Sequence, residues 1–237
     1  MKIDSDAWRQ TIIDGASALG LTVGADQALA MGRHAMELLQ WNQITNLTTI
    51  TEPEDVALKH YVDAMAAAAW IDDGARVLDV GSGGGFPGIP LTILRPDLSI
   101  VLVDSVRKKV SFLKHAIRTL GLSGIRAVHG RLEELRLMPE FRGRFDRVVC
   151  RAFSSLDVFA DLTLPFLAPG GSLLAMKGPQ ANHACDNETI EDDGPIVLGG
   201  TSFWMRIHRY RLPQLDARRR LVMLRPLGKA EANGWLF

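Results

Sequence analysis

The stretch from Val77 to Gly88 constrains the fold of this chain more than any other, and it reads Val-Leu-Asp-Val-Gly-Ser-Gly-Gly-Gly-Phe-Pro-Gly. An apolar, β-branched run ends in an acid and a glycine-dense turn, and Pro87 and Pro90 stand where a helix would begin. This order is typical of a strand, a tight loop and a helix N-terminus in an α/β sheet. Glycines let the backbone approach a ligand closely, and the first helical turn offers it unpaired N–H groups. The stretch therefore predicts a loop that binds a nucleotide-like cofactor.

Two cofactor classes compete for this loop. Gly83, Gly85 and Gly88 match the G-x-G-x-x-G pattern of dinucleotide-binding proteins. Asp79, two residues before a G-x-G-x-G run that starts at Gly81, matches the first motif of S-adenosylmethionine (SAM) methyltransferases. A carboxylate at this point attracts the cationic amino-acid end of SAM and repels a pyrophosphate, whereas a purely structural Asp79 would cap the following turn. The residues favour SAM.

Alternating patterns after residue 70 predict a doubly wound α/β sheet. Helix candidates, notably Lys108–Leu120 and Leu156–Leu167, separate strand candidates at Arg76–Val80, Ile100–Asp104, Ile125–His129, Arg147–Arg151 and Ser172–Met176. The tail breaks the alternation with two extended segments, Trp204–Leu212 and Leu221–Arg225. We expect a Rossmann-like sheet of the class I SAM methyltransferase type, mostly parallel, that ends in an antiparallel hairpin. The segment 186–193 is acidic and rich in turn residues, which predicts a mobile surface loop.

The first 70 residues have helical periodicity and predict an extension packed on the core, with the methyltransferase domain spanning residues 71–237. Two helices precede a polar loop from Trp41 to Thr48. A third helix is predicted from Thr51, because Thr51 and Glu54 have the spacing of a capping box.

Composition indicates a cytoplasmic enzyme without a membrane partner. Cys150 and Cys185 are the two cysteines, in no metal-like spacing, so we expect neither a disulfide framework nor a metal site. The N-terminus has no apolar signal core, and the apolar run at residues 64–71 is too short to span a bilayer.

Charge is distributed unevenly along the chain. Residues 1–80 contain five Lys/Arg against twelve Asp/Glu, and residues 81–237 contain 22 against 15. A basic second half is expected in a protein that binds a polyanion such as nucleic acid. It is equally consistent with an ordinary solvated surface of mixed charge.

Residues at the ends of the predicted strands are candidate site residues, because ligands of α/β sheets bind at the carboxyl ends of strands. Asp104 is placed to accept hydrogen bonds from ribose hydroxyls in either cofactor class. Leu132 and Glu133 follow the third strand, where methyltransferases hold adenine, although Glu133 also suits a helix start. Arg151 ends the fourth strand, at the lip that faces the transferred methyl, and could bind a carboxylate or a phosphate.

The absence of certain motifs limits which atom of a substrate this chain could methylate. No Asn/Asp-Pro-Pro-aromatic tetrapeptide follows the fourth strand, as enzymes that methylate exocyclic amines commonly have. Cys150 lies inside a strand pattern and is expected to be a buried core thiol rather than a nucleophile. Methylation of a ring nitrogen with a free lone pair, such as guanine N7, requires neither this tetrapeptide nor a cysteine nucleophile.

The chain resembles the RsmG (GidB) family, bacterial methyltransferases that modify guanine N7 in 16S ribosomal RNA. The resemblance begins near Leu38 and rests on several blocks of this sequence. They are Trp41-Asn42 with Asn46-Leu47-Thr48, His60 with Asp63, the loop Asp79–Pro90, Asp104-Ser105 with Lys108 or Lys109 and Phe112-Leu113, Arg131-x-Glu133, Arg151-Ala152-Phe153, Lys177-Gly178 and Arg219-x-Leu221-Val222. Ala64 stands where the family has serine, and residues 182–200 have no clear counterpart.

The resemblance implies a function, a cofactor and a set of site residues. The activity would be methyl transfer from SAM to N7 of a guanosine in 16S rRNA or a small-subunit particle, leaving S-adenosylhomocysteine, with no obligate protein partner. Cofactor contacts would fall on Asp79, Gly81, Ser82, Gly83, Gly85, Phe86, Asp104, Ser105, Leu132, Glu133 and Arg151. Arg151 would also orient the substrate in catalysis, and RNA phosphates would contact Lys177, Arg218, Arg219 and Arg220, although Arg218 and Arg220 equally suit ordinary exposed charges.

Three other functions stay open at this stage. The chain could be a SAM methyltransferase of another RNA or of a small molecule, or a SAM- and RNA-binding module without catalysis. A NAD-dependent oxidoreductase is disfavoured, because no Tyr-x-x-x-Lys or His dyad is visible.

Overall fold

A computed structural model describes residues 1–151, 155–178 and 193–228, and within them eight strands form one mixed sheet. The strands are β1 (Arg76–Val80), β2 (Ser99–Asp104), β3 (Ile125–His129), β4 (Phe145–Arg151), β5 (Leu167–Lys177), β6 (Gly194–Leu198), β7 (Thr201–Leu212) and β8 (Ala217–Pro226). Their order across the sheet is β3-β2-β1-β4-β5-β8-β7-β6.

The sheet has the predicted architecture. Neighbours among β1 to β5 are parallel, and β5, β8, β7 and β6 pair antiparallel. The doubly wound sheet with a C-terminal antiparallel hairpin is therefore confirmed. The strand β6 extends the hairpin to three strands and was not predicted. Its Gly194-Pro195 start gives a turn-like pattern, and Pro195 is tolerated because β6 lies at the edge of the sheet.

Eight α-helices are present in the described ranges. They are α1 (Asp6–Ala18), α2 (Ala25–Thr45), α3 (Pro53–Asp55), α4 (Asp63–Met65), α5 (Gly88–Leu94), α6 (Arg107–Thr119), α7 (Leu132–Leu135) and α8 (Leu156–Thr163). A π-helical stretch (Val56–Val62) joins α3 to α4, and short 3₁₀ turns follow at Ala66–Trp70 and Leu164–Phe166. Across residues 1–151, 155–178 and 193–228, no helix combines the length and the apolar character needed to cross a bilayer.

Apolar side chains cover both faces of the central strands. In β1, Val77 faces the cluster that includes α1, α2 and α6, and Leu78 faces the cluster around α8. In β2, Ile100 faces the first of these clusters and Val101 faces the second. Burial on both faces explains why these strands read as continuous apolar runs.

Two predictions about the first 70 residues were wrong in detail. The predicted Thr51 cap is not formed: α3 begins at Pro53 after Glu52, whose side chain caps nothing. The loop predicted from Trp41 begins only at Asn46, because α2 continues to Thr45 and ends at Asn46 in the left-handed conformation. The side-chain amide of Asn42 organises this turn: its Oδ1 accepts the Leu47 and Thr48 N–H groups at 2.7 and 2.9 Å.

Side chains from the N-terminal helices and from the sheet share one apolar cluster. The boundary at residue 70 between an extension and a methyltransferase domain stays a prediction. Ala152, Phe153, Cys185 and the segment 186–192 lie outside the described residues, whereas Cys150 is buried as expected.

Candidate functional site

The strand β1 is tied to the start of α5 by the carboxylate of Asp79. This residue is fully buried, and its Oδ2 accepts the Gly88 N–H at 2.8 Å. A Cβ on Gly88 would lie 2.2 Å from Leu102 Cδ2 and 2.8 Å from Asp79 Oδ2, so only glycine allows the helix to begin this close to the sheet. The turn-capping interpretation of Asp79 therefore accounts for one of its two oxygens.

The second oxygen of Asp79 has no hydrogen-bond partner among the described residues. Burial raises the pKa of this carboxyl to about 7, against the opposing effect of the Gly88 N–H. A buried acceptor without a donor is costly unless a ligand or a proton satisfies it. The chemistry of this atom fits a cationic or N–H-bearing ligand group.

The loop between β1 and α5 is held on its own strands. The Gly81 N–H donates to Val103 O at 2.8 Å, and the buried Ser82 Oγ donates to Asp79 O at 2.9 Å. Gly85 has φ +91°, and a Cβ there would lie 2.5 Å from Ile89 Cδ1. The glycine-dense turn is thus required by backbone conformation and by packing against α5.

A cavity of about 380 Å³ opens beside this loop, at the carboxyl ends of β1, β2 and β3. Its size is in the range of small-ligand pockets. Asp104 organises the floor: Oδ2 accepts the Gly83 N–H at 3.0 Å and Oδ1 accepts the Val106 N–H at 2.8 Å. Each oxygen keeps a second lone pair for a ligand hydroxyl. Five of the predicted cofactor residues line the cavity: Gly81, Asp104, Ser105, Leu132 and Glu133.

Phe86 and Arg151, which were also predicted to contact the cofactor, do not line this cavity. Phe86 is 3 % exposed and stacks on His60, with ring centroids 4.5 Å apart and planes 13° from parallel. The guanidinium carbon of Arg151 lies 4.9 Å from the Phe86 ring centroid. Arg151 donates to Lys59 O at 3.0 Å and to His60 Nδ1 at 2.8 Å, so its orientation is fixed by the N-terminal helical segment.

His60 is a neutral acceptor for Arg151. Burial, and then the charge of Arg151, lower the pKa of His60 to about 3. With Nδ1 accepting from Arg151, Nε2 carries the proton and donates to Thr48 Oγ1 at 2.8 Å. The turn that Asn42 organises presents Thr48 to this ring. The motif residues Asn42, Thr48 and His60 therefore form one chain of contacts that ends on Arg151.

A second buried cluster joins the helical segment to the C-terminal hairpin. Asp63 Oδ1 accepts from the Tyr210 hydroxyl at 2.7 Å and lies 3.3 Å from Arg219 Nε. Burial raises the pKa of Asp63, and Tyr210 and Arg219 oppose this effect. Neither Asp63 nor Tyr210 was predicted to be a site residue. His60 and Asp63 were noticed only as a motif, and no local signal links Asp63 to a tyrosine 147 residues away.

The predicted RNA-contacting residues differ in exposure. Lys177 is 7 % exposed, and the side chain of Arg219 is 12 % exposed and faces Asp63. Arg218 is exposed and Arg220 is half-buried. Arg219 therefore has a structural partner, and contact of any of these residues with RNA stays a prediction.

The architecture, with its cavity at the carboxyl ends of β1 to β3, is that of the class I methyltransferase fold. An O-methyltransferase from Bacillus cereus solved with SAH matches with a TM-score of 0.55 and 14% identity, over 82% of this chain and 91% of that one. A predicted O-methyltransferase from Agrobacterium tumefaciens matches with a TM-score of 0.52 and 17% identity, over 70% of this chain and 82% of that one. At these identities the likeness concerns the fold alone.

Sequence comparison is more specific. The family model for GidB, rRNA small subunit methyltransferase G, matches residues 27–193. Ribosomal RNA small subunit methyltransferase G of Geobacter sp. (strain M21) is 45% identical over 91% of this chain and 96% of its own length. The Geobacter sulfurreducens protein of the same name is 40% identical over 88% and 93%. The chain belongs to the rRNA small subunit methyltransferase G family.

Replacing Asp79 with Asn should remove a pH-dependent loss of stability. The ordinary pKa of Asp is about 3.9, whereas folded Asp79 keeps its proton up to about pH 7. Between these values the folded state binds more protons than the unfolded state, so the stability of the wild type falls as the pH rises. From pH 4 to pH 8, the free energy of unfolding of Asp79→Asn should increase relative to wild type by roughly 4 kcal/mol.

Urea unfolding at several pH values checks this expectation. The exposed Asp26→Asn, measured in parallel, gives the pH dependence of a surface substitution. A difference between Asp79→Asn and wild type that does not change with pH would show that Asp79 is ionised without cost in the folded chain.

Arg219→Gln and Arg218→Gln should differ in stability although the residues are neighbours. Arg219→Gln leaves the buried Asp63 carboxylate without its cation, which should lower the free energy of unfolding by about 3 kcal/mol. Arg218 is exposed, and its replacement should change that free energy by less than about 0.5 kcal/mol. Equal effects in urea unfolding would contradict the inward role of Arg219.

Proposed function

We propose that this protein transfers a methyl group from SAM to N7 of a guanosine in 16S ribosomal RNA, in naked RNA or in a small-subunit particle, in the cytoplasm. One observation carries the proposal: the glycine loop and Asp104 frame a cavity at the carboxyl ends of β1 to β3, with a buried acceptor of Asp79 nearby. Membership of the family supplies the RNA substrate, since its curated members are named for the small-subunit rRNA.

The residues present fit SAM. The acceptor of Asp79 suits the cationic amino-acid end, and the lone pairs left on Asp104 suit the ribose hydroxyls. Leu132 offers an apolar surface, and Glu133 a carboxylate, at the end of the cavity assigned to adenine. When bound, SAM supplies an electrophilic methyl group on a sulfonium. The remaining proposed contacts are Gly81, Ser82, Gly83, Gly85, Phe86, Ser105 and Arg151.

No side chain at this site has to act as a general base. Guanine N7 has an in-plane lone pair and no proton to lose, so positioning of the base is the main task of the protein. The nearby titratable groups already have structural partners: His60 accepts from Arg151, and Asp63 accepts from Tyr210. We assign Arg151 to orientation of the substrate, because Lys59 O and His60 hold its guanidinium in one direction.

The test is methyl transfer by the purified protein, with SAM and either a 16S rRNA transcript or small ribosomal subunits, followed by analysis of the digested nucleosides. We expect 7-methylguanosine. Single-turnover rates between pH 6 and 9 should be nearly flat, because the nucleophile carries no proton. In the same assay, Glu140→Gln, an exposed substitution in the segment before β4, should have the wild-type rate.

Three results would contradict the proposal. A methylated nucleoside other than 7-methylguanosine would show that the target atom is not guanine N7. A rate that rises tenfold per pH unit would show a deprotonation step and exclude a lone-pair nucleophile. SAM binding without transfer to either substrate would favour another substrate or a module without catalysis.

A further inference from the structure

Five cations occupy one face of the C-terminal hairpin and the strand beside it. The register pairs Lys177 of β5 with Arg220 of β8, and Arg220 with Arg209 of β7. One step further along the hairpin, Arg218 pairs with Arg211. Paired residues of neighbouring antiparallel strands point to the same face, so these side chains form two adjoining rows.

These rows begin where the apolar core ends. The preceding row on the same face consists of Ala175, Val222 and Ile207, which pack in the cluster around α8. Arg219 lies between Arg218 and Arg220 in sequence but points to the opposite face, toward Asp63. The hairpin thus separates an inward arginine from the outward cations.

The rows lie at the carboxyl edge of the parallel strands, next to the candidate site. Arg151, the last residue of β4, pairs with Met176 of β5, and Lys177 is the following residue. The hairpin positions from Arg209 to Arg218 extend beyond this level. The rows face away from the Arg151 side chain and lie on the face of α8, whose Leu162 lines the cavity, so a ligand on the rows would lie on that side of the cavity.

The register concentrates positive charge on this face. Lys177, Arg220 and Arg209 lie side by side in one row, and Arg218 and Arg211 lie side by side in the next. Asp216 in the hairpin turn pairs with Arg211. Arg209, Arg211 and Arg218 are exposed, so an external ligand can reach them.

We infer that this basic hairpin face binds the phosphate backbone of the RNA substrate beside the cavity. The accessible Arg209, Arg211, Arg218 and Arg220 would make the contacts, and the buried Lys177 adds positive charge next to them. This inference rests on the proposed function for the identity of the RNA. Several guanidinium groups spread over two rows suit a chain of phosphates better than a single anion, because each presents a planar fork of donors that can bind two oxygens. Contacts of this kind position an RNA without reading its sequence.

The test compares two double variants with equal loss of charge. Arg209→Gln/Arg218→Gln removes two exposed cations of the face. Arg118→Gln/Arg142→Gln removes two exposed cations from segments that precede β3 and β4, at the amino edge of the sheet. Dissociation constants for a 16S rRNA transcript are measured by filter binding from 50 to 200 mM salt.

For the hairpin variant, we expect weaker binding and a smaller dependence of log K on log salt, by about 0.7 to 0.9 for each lost phosphate contact. The amino-edge variant should match the wild type. Both should keep the wild-type midpoint of thermal unfolding and the wild-type affinity for SAM. Equal salt slopes for the hairpin variant and the wild type would overturn the inference.

Failure of the inference can be distinguished from failure of the proposed function. If the wild type methylates the transcript and the hairpin variant keeps the full salt slope, the proposed function stands and the inference about the basic hairpin face is wrong. If the wild type transfers no methyl group but its salt slope differs from that of the hairpin variant, the proposed function is wrong and the face still binds RNA. Weaker binding of the hairpin variant to small subunits, with unchanged binding to the naked transcript, would assign the face to a ribosomal protein and overturn the inference.

Discussion

The site depends on one hydrogen bond, from the Gly88 N–H to the buried carboxylate of Asp79. It fixes the end of β1 against the start of α5, so the intervening loop has to turn over a short distance. Gly85 and Gly88 both meet that constraint, because a Cβ at either position would collide with α5 or the sheet. The same contact uses one carboxylate oxygen, and the other is buried with no hydrogen-bond partner in the described part of the chain. In the proposed function, this one side chain would act both as a structural cap and as an acceptor for the amino-acid end of SAM.

Arg151 connects this loop to the rest of the molecule. Its guanidinium lies against Phe86 of the loop and donates to Lys59 O and His60 of the helical segment. The same segment reaches the hairpin through Asp63, Tyr210 and Arg219. Three regions that are distant in sequence therefore meet at the lip of the cleft, and the neutral state of His60 allows a cation to be buried beside it.

Local patterns predicted the parts of the fold that local chemistry determines. The bounds predicted for β1 and β3 agree with the structure. The strand β1 is a buried apolar run, whereas β3 is an edge strand with one buried residue and is bounded by Gly124 and Gly130. The cavity-lining Asp104 was found because strand ends of α/β sheets carry ligand residues. The Thr51 cap failed since Pro53 starts the helix after Glu52. The partner of Arg219, and the opposite orientations of Arg218 and Arg219, required the register of the hairpin, which depends on pairing across distant strands.

The loop shaped by Asp79 and Gly88 is expected to hold SAM rather than a dinucleotide. Calorimetric titration of the purified full chain with SAM, and separately with NAD, tests it most directly. We predict saturable binding of SAM with a dissociation constant on the order of micromolar, which is about −8 kcal/mol, and no binding heat with NAD. Tight binding of NAD, or no binding of SAM to the folded protein, would contradict it.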